Sequence, residues 1–348
     1  MKLVLIAAAA GLSLTALSAD LTSTYAKGEI RTTQFSYEES SSLVDVEMLM
    51  NGEEGPMGAP DMEMEMETVN GQSGVFADTI TRGGEGKPAG FLRLYSDLEL
   101  HSSMSMRSSM FDDQDSEESK ESELEGVSVA FAFEDGEYTA EFPGEEAADK
   151  EVLAGLEALL PWASLLPEEG VEVEAEWEID AEAFAGFFDL GGDLAWDSEG
   201  NNSEGNDSEG NDDEDAQESE VEGTVTATLT KIEDGEATIS ISFELSELVD
   251  LTGVSMNMGG EAPDDVPEGM MMPDMIALTI EKESEGEGTA IWNIEGGYLS
   301  SLELECEFTS VQEMIMVMEM GPEKMEMEEI STSEGEATFS VQVTVERE

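Results

Sequence analysis

The chain has 348 residues, with 84 Asp and Glu against 13 Lys and Arg, for a formal net charge of -71. That balance makes nucleic acid and anionic membranes poor partners on electrostatic grounds, and leaves cations, basic proteins and salt-rich water as its surroundings. Hydrophobic residues at 39%, together with 34 Gly, still reach the range of folded domains, so the acidity does not impose disorder on the whole chain.

From the N-terminus, Lys2, the apolar residues 3–14 and the small residues Ala16, Ser18 and Ala19 read as a signal peptide over 1–19. No other apolar run approaches the ~20 residues of a membrane span, so no transmembrane segment is expected. No Cys stands near the cleavage point. The expectation is an exported chain, periplasmic or extracellular and not lipid-anchored.

Period-two alternation then dominates, at 61–67, 127–133, 171–177, 239–245, 302–308 and 339–345. One side of each run is apolar and the other acidic or hydroxylic, as in antiparallel sheet with one solvated face. Asp135-Gly136 and Asp234-Gly235 predict hairpin turns between such runs, and Glu334-Gly335 predicts a third. Residues 235–241 and 335–341 resemble each other, which fits turn-plus-strand chemistry used twice better than a duplication.

Two helices are expected among the strands. Residues 145–160 place Val152, Leu153, Leu156, Leu159 and Leu160 on one stripe ended by Pro161. Asp180 can cap a second helix presenting Phe184, Phe187 and Phe188. Acid- and Ser-rich residues 111–123 and 197–220, the latter with a five-residue repeat at Ser198, Ser203 and Ser208, lack the apolar content to order themselves. The resulting division is 1–19 signal peptide, 20–110 β region, 111–123 acidic linker, and 124–196 a β hairpin with two helices. An acidic insertion over 197–220 and a β region over 221–348 complete it, and the β regions are free to share one sheet.

The chemistry-bearing residues are sparse. His101 and Cys306 are single, which excludes Cys/His zinc sites, and no Gly-x-Ser-x-Gly elbow accompanies His101. His101 shares strand parity with Arg93 and Tyr95, so all three are expected on the solvated side. Cys306 reads as a thiol on an apolar face. Residues 83–87 lack the spacing of a phosphate loop and read as a turn. Asp112, Asp113 and Asp115, and Asp212, Asp213 and Asp215, form oxygen-rich clusters suited to calcium, without EF-hand spacing. Among the twenty-two Met residues, Met-x-Met spacing recurs at 62/64/66, 48/50, 104/106, 314/316/318/320 and 325/327. Thioethers in that pattern can hold Cu(I), but no His or Cys accompanies them, and supplying the apolar side of the sheet is the reading the pattern favours. No cofactor is assigned, with calcium the one left open.

The segment from Leu166 to Trp177 (Leu-Pro-Glu-Glu-Gly-Val-Glu-Val-Glu-Ala-Glu-Trp) is similar to a turn-strand pattern in exported bacterial β-rich proteins of unknown function. Long amphipathic strands with a few covering helices resemble in outline the half-barrels of periplasmic lipoprotein carriers. The expected fold is mainly β: a strongly curved antiparallel sheet or open half barrel with two short helices on its concave face. The expected function is non-enzymatic, an exported binding or envelope-associated protein holding an apolar small molecule or lipid, with Trp177, Phe184, Phe187 and Phe188 as candidate ligand contacts. The other reading is a structural or cation-binding acidic surface protein adapted to saline medium.

Overall fold

A computed structural model describes residues 18–19, 21–50, 53–54, 64–108, 114–144, 150–153, 155–167, 169–188, 194–196, 218–251, 274–320 and 323–347. Residues 1–17, where most of the signal peptide is expected, lie outside them. The strands are β1 (Ser18–Ala19), β2 (Thr24–Tyr25), β3 (Ile30–Met50), β4 (Glu53–Glu54), β5 (Met64–Arg82), β6 (Gly84–Glu85), β7 (Gly90–Ser108), β8 (Gln114–Glu121) and β9 (Ser128–Glu134). They continue as β10 (Glu137–Glu141), β11 (Val171–Glu172), β12 (Glu176–Ile179), β13 (Glu218–Glu233), β14 (Glu236–Asp250), β15 (Asp274–Asn293), β16 (Tyr298–Met320) and β17 (Glu323–Glu346).

Thirteen of them form one antiparallel sheet in the order β10-β9-β7-β5-β3-β17-β16-β15-β14-β13-β12, with β4 on β3 and β8 on β7. The sheet does not close, since β10 and β12 remain its two edges. The first and last long strands are neighbours at its centre, paired from Ile30↔Glu346 to Met50↔Met327. Glu29, almost wholly buried, ties their ends together by accepting from Arg31 and from Arg347 Nε at 2.9 Å.

Alternation delivers the strands largely as read. Asp135-Gly136 and Asp234-Gly235 turn with positive φ at both residues, joining β9 to β10 and β13 to β14. Glu334-Gly335 is not a turn, because β17 runs straight through it. There the glycine serves close approach: a Cβ at Gly335 would lie 2.5 Å from Phe308 Cζ. The likeness between 235–241 and 335–341 therefore joins a turn glycine to a mid-strand one. Residues 171–177 do not form one strand either, since Glu174 at φ 73 turns the chain between β11 and β12. Within the acidic run 111–123, residues 114–121 form an exposed edge strand on β7.

Only one α-helix occurs among the described residues, α1 (Ala181–Ala185), so the expectation of two helices on a concave face is not met. Asp180 caps α1 as read, its side chain accepting from Ala183 N at 2.9 Å. Described residues of 145–160 give only a 3-10 turn, Lys150–Leu153, followed by irregular chain. Gly155 adopts φ 85, which breaks an α-helix, and the carbonyls of Glu157 and Ala158 bond to Arg93 instead of to helical amides. Pro161 opens a second 3-10 turn, Pro161–Leu165.

These pieces cover only part of the sheet. Phe184, Phe187, Trp162, Leu165 and Leu194 pack on the face carrying Phe243, Ile241, Leu304, Phe339 and Val341. Burying an aromatic such as Phe184 contributes roughly 1.5–3 kcal/mol. Beyond Phe35 in β3 and Phe308 in β16, and before Ala337 in β17, no described residue of those strands is buried. β16 alone extends 12 residues past Phe308, roughly 40 Å of strand. Farther out on β15, Leu278 is buried directly opposite Met314, so among the described residues the sheet has a densely covered half and a sparsely covered one.

Four tyrosines in or beside the covered half, Tyr25, Tyr37, Tyr95 and Tyr138, have pKa values raised first of all by burial. For Tyr37 the hydrogen bond to Glu39 adds to the effect, and Tyr138 reaches about 12. Above a pH of about 10 the unfolded chain releases phenolic protons that the fold retains, so the stability present below pH 10 falls as pH rises past it. We expect tyrosinate absorbance to appear together with loss of the β-sheet circular dichroism signal in an alkaline titration. Full ionisation of these four near pH 10 with the sheet intact would contradict their burial.

Candidate functional site

The aromatic residues singled out from the sequence come together, but against one another. Phe184 lies 4.9 Å between ring centroids from Phe243, and Phe187 lies 5.5 Å from Trp162. Phe188 touches Tyr37 and Phe339, each at 6.1 Å. Trp177 is half-buried and donates from Nε1 to Leu165 O at 3.0 Å. This cluster is the plug of the covered half. Asp115 sits on exposed β8 opposite Ser105, while Asp112, Asp113, Asp212, Asp213 and Asp215 lie outside the described residues. Among the described residues no group of three or more His, Cys, Asp or Glu is arranged to hold a metal.

A cleft of about 420 Å³ opens beside the plug. One wall is the β9–β10 hairpin, with Phe131, Tyr138 and Ala140. The other is irregular chain carrying Leu153, Leu156 and Leu159, with Glu157 and Ala158 between. Pairing in the tight hairpin sets Phe131 opposite Ala140. Phe131 stacks on Phe91 at 4.9 Å, and Tyr138 donates its hydroxyl to Pro88 O. The leucine stripe read as a helix face is therefore real as an apolar surface, without the helix.

Arg93 holds the irregular wall in place. It is buried, and its guanidinium makes a two-pronged contact with Asp78, Nε to Oδ1 at 2.7 Å and Nη2 to Oδ2 at 3.0 Å. Nη1 and Nη2 also donate to Glu157 O and Ala158 O at 3.0 and 3.1 Å. Phe76, Phe91 and Phe131 surround it, with ring centroids 4.9–5.5 Å from Cζ. Burial alone would disfavour the charge, but Asp78 outweighs it through charge and hydrogen bonds, and the Arg93 pKa is raised.

The sequence parity that put Arg93 and Tyr95 with His101 on the solvated side fails at one residue. Asp97 at φ 53 is an extra residue in β7, marked by the register shift opposite Ser73 and Val75. Upstream of that bulge Arg93 and Tyr95 face the core and Leu94 is 40% exposed. Downstream His101 points to the opposite face, its ring over Gly71. The one legible signal was an Arg alternating with Tyr95 and Phe91 in a chain poor in bases. Cys306 is half-buried on the core face, its thiol pKa raised chiefly by burial, so it and His101 lie on opposite faces of the sheet.

The face opposite the core carries an acidic trench of about 1200 Å³. Its walls are two registered rows two residues apart. One runs Glu222, Ser246, Glu283, Thr309, Glu334, Ser42 and Glu67; the other includes Glu244, Glu285, Glu307, Glu336 and Ser40. The residues between them, such as Leu245 and Phe308, are buried on the other side and lend only backbone to the floor. Seven strands at ~4.8 Å span roughly 29 Å, and same-face rows stand ~6.8 Å apart.

Compared with known proteins, the chain matches no protein-family model and no curated protein.

Proposed function

We propose that this is an exported, non-enzymatic binding protein that holds an apolar ligand, a lipid or small hydrophobic molecule, against a curved sheet of half-barrel outline. The carrying observation is the 420 Å³ cleft, an open depression that brings the side chains of Phe131, Tyr138, Leu153 and Leu156 together as a contact surface for such a molecule. The four hydrogen bonds of Arg93 support the reading, because they hold the leucine wall open against the hairpin instead of letting it close as a helix. An environment-sensitive naphthylamine probe should bind the wild-type chain with enhanced fluorescence. Filling the cleft by Ala140→Phe, or making it polar by Leu156→Asp, should weaken binding about tenfold, the equivalent of roughly 1.4 kcal/mol. Unchanged binding in both variants would rule the cleft out. Native mass spectrometry of protein from its own host would identify a co-purifying lipid.

The trench favours a second reading, a cation-buffering surface protein in saline medium. Its rows of carboxylates suit diffuse counterion accumulation.

A further inference from the structure

The methionines do not do what an apolar sheet face requires of them. Met is among the residues most often buried in cores. Yet none of the eight whose side chains are described (48, 66, 104, 106, 314, 316, 325 and 327) is buried. They lie in the sparsely covered half, six half-buried and Met48 and Met104 exposed, with Leu278 opposite Met314 buried, and strand pairing gathers Met-x-Met pairs that are far apart in sequence. Met316 is directly opposite Met327, and Glu329 is opposite both Met314 and Met48.

Directly opposed residues project to the same side with Cβ atoms about 4.5–5.5 Å apart, and same-face neighbours along a strand are ~6.8 Å apart. Met48, Met314, Met316, Met325 and Met327 therefore form one patch on three adjacent strands, β3, β17 and β16. It lies on the same face of β17 as Phe339. Met50 and Met275 hold the next positions in the Met316–Met327 row.

We propose that this patch binds Cu(I) through thioether sulfurs. Thioethers are soft, neutral ligands that select Cu(I) over calcium, magnesium or zinc. Three rotatable bonds on each Met let sulfurs from neighbouring strands converge on one ion. Glu329, on the same face between Met314 and Met48, supplies a negative charge to offset the cation. The same carboxylate counts against the patch being an ordinary packing surface, since an apolar cover would desolvate it. The inference is independent of the cleft, which lies in the covered half.

The test uses the full chain under anaerobic conditions, with Cu(I) supplied from a chromogenic chelator. The wild type should withdraw Cu(I) from the chelator, and the Met314→Leu/Met316→Leu/Met327→Leu variant should bind at least about tenfold more weakly. Leu keeps the volume and apolarity of Met, so the sheet should persist. Cys306→Ser should bind as wild type, because Cys306 is ten residues along β16 from Met316, roughly 34 Å away. X-ray absorption of the wild-type complex should show sulfur neighbours to copper, a readout that needs no variant. No withdrawal by the wild type, withdrawal undiminished in the triple-Leu variant, loss in Cys306→Ser, or a nitrogen/oxygen coordination shell would each overturn the proposal.

Discussion

Replacing Arg93 by Met should lower the stability of the fold by about 3–5 kcal/mol, the range for removing one partner of a buried ion pair. Met fills much of the same space, so the loss comes from electrostatics and hydrogen bonding. The Asp78 side chain, 14% exposed, would keep its charge with no cation against it. The carbonyls of Glu157 and Ala158 would lose the guanidinium as donor. Adding Asp78→Leu should restore much of the loss, because exchanging a whole buried pair for apolar groups is often neutral. Urea unfolding would measure both variants, and hydrogen exchange at residues 155–160 should speed up in the single one. A change below about 1 kcal/mol for Arg93→Met would mean that water already reaches the pair and that the segment is held by its leucines alone.

Stability should rise with salt by a total on the order of 1–3 kcal/mol. On the face opposite the core, Glu244, Glu285, Glu307 and Glu336 stand in one row on four adjacent strands, and Glu287 is opposite Glu305. Each directly opposed like-charged pair costs some tenths of a kcal/mol. The bases do not relieve them: Lys282 points to the core side, bonded to Glu39 at 2.5 Å and lying over Phe308. The Debye length shrinks from about 10 Å at 0.1 M to about 3 Å at 1 M salt, so added NaCl should remove much of the repulsion. Thermal melts at about 0.05, 0.5 and 2 M NaCl would show it, and Glu307→Gln, in the middle of the row, should be more stable than wild type at low salt only. A midpoint that stays flat or falls with salt would show that these carboxylates are neutralised by bound cations, which would favour the cation-binding reading of the trench.

The covered half of the fold was readable where the controlling interactions are local. Side-chain alternation requires only that neighbouring residues point to opposite faces, so 239–245, 302–308 and 339–345 announced their strands. The Asp-Gly turns and the Asp180 cap depend on the conformation of one or two residues, and both appear where expected. The candidate site was less legible. Its leucines were visible as an apolar stripe, but the residue that positions them, Arg93, was assigned to the wrong face. One extra residue at Asp97 reverses parity along β7, and alternation carries no record of a bulge.

By itself, then, the sequence determined that this protein is an acidic, mainly β chain with few bases and a single His and Cys, because composition and two-residue periodicity are properties of short stretches. Only the tertiary structure decided that β17 returns to lie beside β3, that Gly335 makes room for Phe308 while Gly235 turns the chain, and that 145–160 yields its carbonyls to Arg93 instead of forming a helix. It also decided that the methionines whose side chains are described gather on the strands beyond the aromatic core instead of filling it. Each of these depends on contacts between residues tens to hundreds of positions apart, where pairing and coverage override local preference.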